Sequence, residues 1–130
     1  MQGIDDEKRY DDLVQQGYTM ESRWPCVELI APDRTGVKVE KGENSIRITY
    51  SCAQTNFSLM YNNNKIKSDS IALGDEKTCK NLLSHIQMLQ SSYGYLSEKG
   101  ATKKERIVII AEKLLLIKED LEALLKLKKD

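Results

Sequence analysis

Few side chains in this sequence could do chemistry, and their spacing narrows what that chemistry could be. His85 is the single histidine, which excludes any mechanism needing two imidazoles. Cys26, Cys52 and Cys79 are the only thiols, and no two of them form a C-x-x-C pair. With His85 they would add up to a Cys3His zinc set, but structural zinc sites use closely spaced ligand pairs, which this sequence lacks. Cys79 precedes His85 by six residues, which on a helix sets the two side chains about 120° apart and disfavours a thiolate–imidazole pair. Cys52 continues the alternation of Ile46, Ile48 and Tyr50 and reads as a small core residue. The adjacent acids Asp5-Asp6, Asp11-Asp12 and Asp75-Glu76 fall at helix starts or in charged segments, where solvation accounts for them. Gly17, Gly36, Gly42, Gly74, Gly94 and Gly100 are scattered as turn and cap residues and build no phosphate-binding loop. The expectation is a protein that is not an enzyme and that carries no cofactor and no metal.

Nucleic-acid binding has slightly more to recommend it. Tyr50, Phe57 and Tyr61 could stack on bases, with Arg47, Lys65 and Lys67 near phosphates. These aromatics share the alternation of Ile46, Ile48 and Leu59, however, which assigns them to a buried face. The 20 basic and 20 acidic residues sum to zero, so the electrostatic drive for such binding is absent.

The chain of 130 residues and 14.8 kDa is long enough for one domain with a real core. Its N-terminus carries acids where a secretory signal would carry bases, and the sparse cysteines suit a reducing compartment; a cytoplasmic location is expected. The longest apolar stretch, 107–117, is broken by Glu112 and Lys113, so no membrane span is expected. Charge is uneven: residues 1–23 hold six acids and three bases, and residues 99–130 hold nine bases and six acids. An acidic head could therefore meet a basic end.

The elements that would position these residues follow from periodicity. A short helix is expected from Asp5, as cap, to Gly17, with Tyr10, Leu13 and Val14 on one stripe. From Tyr18 to Leu73 the period becomes two. Val27–Leu29, Val37–Val39, Ile46–Tyr50 and Phe57–Tyr61 read as strands, with a weaker one between Ile66 and Leu73. Such a meander has one apolar face that must be covered. Asp75 then opens a helix whose stripe is Cys79, Leu82, Ile86, Leu89, Tyr93 and Leu96, closing near Gly100. Thr102 and Glu105 match a capping box before a last helix from about Lys103 to Lys128.

That last helix is the most informative element. Ile107, Ile110, Leu114, Ile117, Leu121 and Leu124 repeat as a and d of a heptad, while Val108, Ile109, Leu115 and Leu116 add a second apolar flank. A helix apolar nearly all round needs partners on two sides. Trp24, beside Pro25 at the start of the sheet, is a further candidate anchor.

The fold class expected is therefore α+β: a short N-terminal helix, a four- or five-stranded antiparallel meander and two C-terminal helices. Residues 1–23 form an acidic N-terminal segment, 24–100 the sheet with the first long helix, and 101–130 the amphipathic last helix. This element order resembles that of RWD-type domains and the meander-plus-helix plan of polo-box and PH-like modules, in order alone and with no shared motif. The functional expectation is a protein-interaction or assembly module. Ile107, Ile110, Leu114, Ile117, Leu121, Leu124 and Trp24 would be the interface to a protein partner or a second copy. The alternatives are a small inhibitor or regulator acting through the sheet edge or the acidic N-terminus, and a single-stranded nucleic-acid binder.

Overall fold

The computed structural model describes residues 2–52, 55–68 and 76–129. Helix α1 (Gln2–Gln15) precedes six strands, β1 (Thr19–Arg23), β2 (Cys26–Ile30), β3 (Gly36–Lys41), β4 (Ser45–Cys52), β5 (Thr55–Asn62) and β6 (Lys65–Lys67). Helices α2 (Glu76–Lys99) and α3 (Lys103–Lys129) follow. The strands form one antiparallel sheet in sequence order, β1 to β6, so β1 and β6 are its two edges.

The fold is α+β as expected, with six strands rather than four or five. The extra strand is β1. Its outward residues Thr19, Glu21 and Arg23 are exposed, and Met20 is the one large apolar side chain facing inward. An edge strand so poor in apolar residues leaves almost no alternation to read. The last strand covers only three residues, and the remainder of the segment expected there, from residue 69, lies outside the described residues. So does Asp75, the expected opening of the second helix.

Alternation then decides the layers. Val27, Leu29, Val37, Val39, Ile46, Ile48, Tyr50, Leu59 and Tyr61 are buried. They meet the buried α2 residues Leu82, Ile86, Leu89, Tyr93 and Leu96 and the α3 residues Val108, Ile110, Ala111, Leu114, Ile117, Leu121 and Leu124 in one core. The intervening residues of the same strands, among them Glu28, Lys38, Arg47 and Ser58, lie on the other side of the sheet, which no described helix packs against. The sheet thus has one closed face and one open face.

Each helix ends where its chemistry dictates. Gly17 follows α1 with φ 95°, and a Cβ there would stand 2.8 Å from Pro32 Cγ, so only glycine fits this turn into β1. Gly100 follows α2 at φ 67°. The capping box forms: the Glu105 amide donates to Thr102 Oγ1 at 3.2 Å. In contrast, Asp5 lies inside α1 rather than at its start, and Val14 points to solvent at 49% exposure instead of joining Leu13 in the core.

The two-sided hydrophobicity of α3 is largely answered within the chain. It packs on α2 and on α1, and it also touches β1, β2 and β3. Arg9 of α1 grips Glu112 of α3, with its Nε 2.9 Å from Glu112 Oε2 and a second bond from Nη2, and its Nη1 is 3.0 Å from Asp6. Head and C-terminal helix do meet, but the ion pair runs from a base in the acidic segment to an acid in the basic one.

Candidate binding groove

The hairpin that joins β1 to β2 sets the geometry of the most concave surface. Arg23 pairs with Cys26 across the Trp24–Pro25 reversal, whose peptide bond is cis. Tyr93 of α2 donates its hydroxyl to the Pro25 carbonyl at 2.6 Å, and its ring lies 5.1 Å from that of Trp24, tilted by 40°. Burial pushes the Tyr93 hydroxyl well above its ordinary pKa, so this anchor stays a donor at physiological pH. Arg106 of α3 places its guanidinium 5.1 Å from the Trp24 ring. The hairpin tip is therefore held by both long helices.

From that tip an open groove of about 600 Å³ runs beside β1. Tyr10 of α1, Met20 of β1 and Lys103 and Ile107 of α3 line it on the helix side; Glu21, Arg23, Glu28, Lys38 and Glu40 belong to the open-face wall. Lys104 lies 5.4 Å from the centre of the Tyr10 ring, which fixes that ring at the groove's margin. No described backbone hydrogen bond uses the outer edge of β1. In an antiparallel edge strand, alternate residues direct both backbone groups outward, so β1 offers a row of unpaired donors and acceptors.

Two polar clusters lie elsewhere. Below α1, Asp6 and Glu105 are 5% and 6% exposed. Lys99 Nζ sits 2.5 Å from Glu105 and holds its carboxyl below the ordinary range, helped by the Thr102 amide. Asp6, desolvated and hydrogen-bonded to Glu105, is pushed upward. Between α2 and α3, His85 Nδ1 is 2.5 Å from Asp120 Oδ2. Burial raises the Asp120 carboxyl, and His85 partly offsets the rise. Sequence spacing missed the His85–Asp120 contact because the two residues flank separate stripes, and no local pattern links them.

The residues expected to form an interface are placed plainly. Ile107, Ile110, Leu114, Ile117, Leu121 and Leu124 are all at most 4% exposed, and all but Ile107 belong to the main core cluster. A partner on α3 would meet instead its half-buried flank, Ile109, Leu115, Leu116 and Leu125. Ile107 also reaches the groove, whereas Trp24, half-buried and packed against the core, is not among the side chains that line it. Tyr50 and Tyr61 are buried and Phe57 is half-buried, so the aromatics considered for base stacking lie on the closed face. The Tyr50 hydroxyl donates to Glu122 at 2.9 Å, and Tyr61 donates to Asn64 at 2.8 Å. Cys26, Cys52 and Cys79 are not joined in disulfides, and no three His, Cys, Asp or Glu side chains converge on a metal position among the described residues. No described helix is long and apolar enough to cross a membrane. Comparison with family models, with curated proteins and with solved structures finds no match.

Proposed function

We propose that this chain is a non-enzymatic protein-binding module that receives an extended segment of a partner along β1. The observation that carries the reading is the unpaired outer edge of β1 lying beside a groove of about 600 Å³. Strand addition of this kind takes affinity from main-chain hydrogen bonds and specificity from pockets for alternate side chains. Among the surfaces weighed from the sequence, it is the sheet edge that the geometry favours over the α3 seam.

Photocrosslinking tests the reading. A benzophenone side chain at Glu21, exposed on β1, should form adducts with a polypeptide in extracts of cells that make the protein. The same group at Gln87, exposed on α2, should not. Equal labelling from both positions, or none from Glu21, counts against strand capture. A second reading, self-association through α3, draws on the half-buried Leu115, Leu116 and Leu125. Molar mass by light scattering across concentrations would separate it: twice 14.8 kDa supports it, and a constant 14.8 kDa removes it.

A further inference from the structure

The half of the open face formed by β4, β5 and β6 carries cations that no described carboxylate neutralises. Register places Arg47, Met60 and Lys67 side by side in one cross-strand row, on the side of the sheet away from the core. Two strand spacings separate Arg47 from Lys67, about 10 Å, so both long side chains can lean over Met60 to one point. With Ser58 and Ser68 they line a hollow of about 330 Å³, at the lower end of the range for small-molecule sites. That lining holds no carboxylate. The acid nearest in register, Glu40, opposes Arg47 on β3 but stands 3.5 Å from Lys38. Neither Arg47 nor Lys67 has a carboxylate within ion-pair distance among the described residues. Ser58 is exposed on the same face, and its carbonyl accepts from Ser68 Oγ at 2.7 Å, which ties the chain after β6 to β5.

Lysines on an edge strand discourage pairing with other chains, which accounts for Lys65 and Lys67 but not for Arg47, two strands in. We infer that this hollow binds a phosphate monoester, held by the Arg47 fork and the Lys67 ammonium with the Ser58 hydroxyl as a further donor. A monoester presents nearly two negative charges and three acceptor oxygens, which suit one rigid fork and one point charge. A nucleic-acid strand is the poorer fit. It spreads single charges along a track and draws affinity from base stacking, whereas Tyr50, Phe57 and Tyr61 pack in the core. The hollow lies at the other end of the sheet from β1, so it stands or falls separately from strand capture.

Titrations followed by amide chemical shifts test this with three probes: a capped Ala-Ala-phosphoserine-Ala-Ala peptide, ribose 5-phosphate and a ten-nucleotide oligothymidylate. The two monoesters should give saturable shifts at Arg47, Ser58, Met60 and Lys67, and the unphosphorylated peptide should give none. Preference for the peptide assigns the phosphate to a protein, preference for the sugar to a small metabolite, and equal affinity to the phosphate group alone; each supports the site. R47Q and K67Q should each weaken the tighter monoester at least fivefold, and both changes fall on exposed side chains. R23Q removes an exposed charge at the other end of the same face and should stay within twofold. Circular dichroism checks that all three variants keep the wild-type spectrum. Equal weakening by R23Q would reduce the effect to net charge and overturn the inference. So would tighter binding of the oligothymidylate, or no saturable shift with either monoester at about 10 mM.

Discussion

The two faces of the sheet are made by the same strands and have opposite fates. On the closed face, Val27, Leu29, Val39, Ile46 and Ile48 are at most 1% exposed, because α2 and α3 share one core with them. On the open face, Arg47 and Ser58 are exposed and Glu28 and Lys38 are half-buried. The two edges differ as well. β6 is three residues long with exposed Lys65 and Lys67, a short charged edge of the kind that resists pairing. β1 is longer and has a groove beside it. With the long helices committed to one face, the open face and the two edges are the parts of the sheet that no described helix covers, and β1 is the longer of the two edges.

The largest effect that would test this division comes from the closed side. Leu114 is fully buried, and Leu114→Ala should cost about 2–5 kcal/mol through lost transfer energy and a residual cavity. Arg47→Thr on the open face should stay within about 0.5 kcal/mol. Urea denaturation of both variants checks the pair; a comparable loss for Arg47→Thr would show that the open face is structural. Next in size is Tyr93→Phe, which leaves the Pro25 carbonyl without its donor and frees the β1–β2 tip from α2. A loss of about 1–2 kcal/mol is expected, read by thermal unfolding.

The closed face was legible from the sequence because burial imposes a period. Ile46, Ile48 and Tyr50 alternate, and Leu82, Ile86, Leu89, Tyr93 and Leu96 step by three and four, so the sheet, the helix pair and the capping box at Thr102 could all be placed. The groove was not legible. β1 carries one large inward apolar residue, and the helix-side wall is completed by Lys103 and Ile107 from the start of α3, some eighty residues further on. Only the tertiary docking of α1 and α3 beside β1 brings Tyr10, Lys103 and Ile107 to one edge. The heptad of α3 is ambiguous for a related reason. Coiled-coil seams and core helices share the same spacing, and position along the chain does not say which surface covers it.

Two carboxyl groups on the helix side should respond to pH in opposite senses. Glu105 is held below the ordinary value of 4.5, chiefly by Lys99, so its stabilisation is present above that value and disappears as pH falls through the lowered one. Glu105→Gln should therefore lower the unfolding midpoint at neutral pH, and its difference from the parent protein should shrink below pH 4. Asp120 is raised above 3.8 by desolvation, so stability is fully present below that value and is lost as pH rises through the raised one. Asp120→Asn should gain on the parent protein between pH 4 and 7 and show no advantage below pH 3. Urea midpoints across that range check both. Curves that move in the same direction would mean that the two clusters are not separately set by Lys99 and by burial.

The last predicted change is at Arg106, which lies against the Trp24 ring at the β1–β2 tip. Two terms oppose each other there. Replacing Arg106 with Gln removes its contact with the Trp24 ring, a loss of about 0.5–1 kcal/mol. The same change removes the shielded Nε donor that has no acceptor, which relieves about 1–3 kcal/mol of desolvation. Net stability should therefore stay the same or rise by up to about 2 kcal/mol, while Trp24 emission shifts because the cation over its ring is gone. A loss above about 1 kcal/mol in urea denaturation would make Arg106 a strut for the hairpin tip. The unpaired cation would then need no partner outside the chain. An unchanged or raised midpoint would mean that folding does not require an arginine at this position, the ring contact being outweighed by the shielded donor.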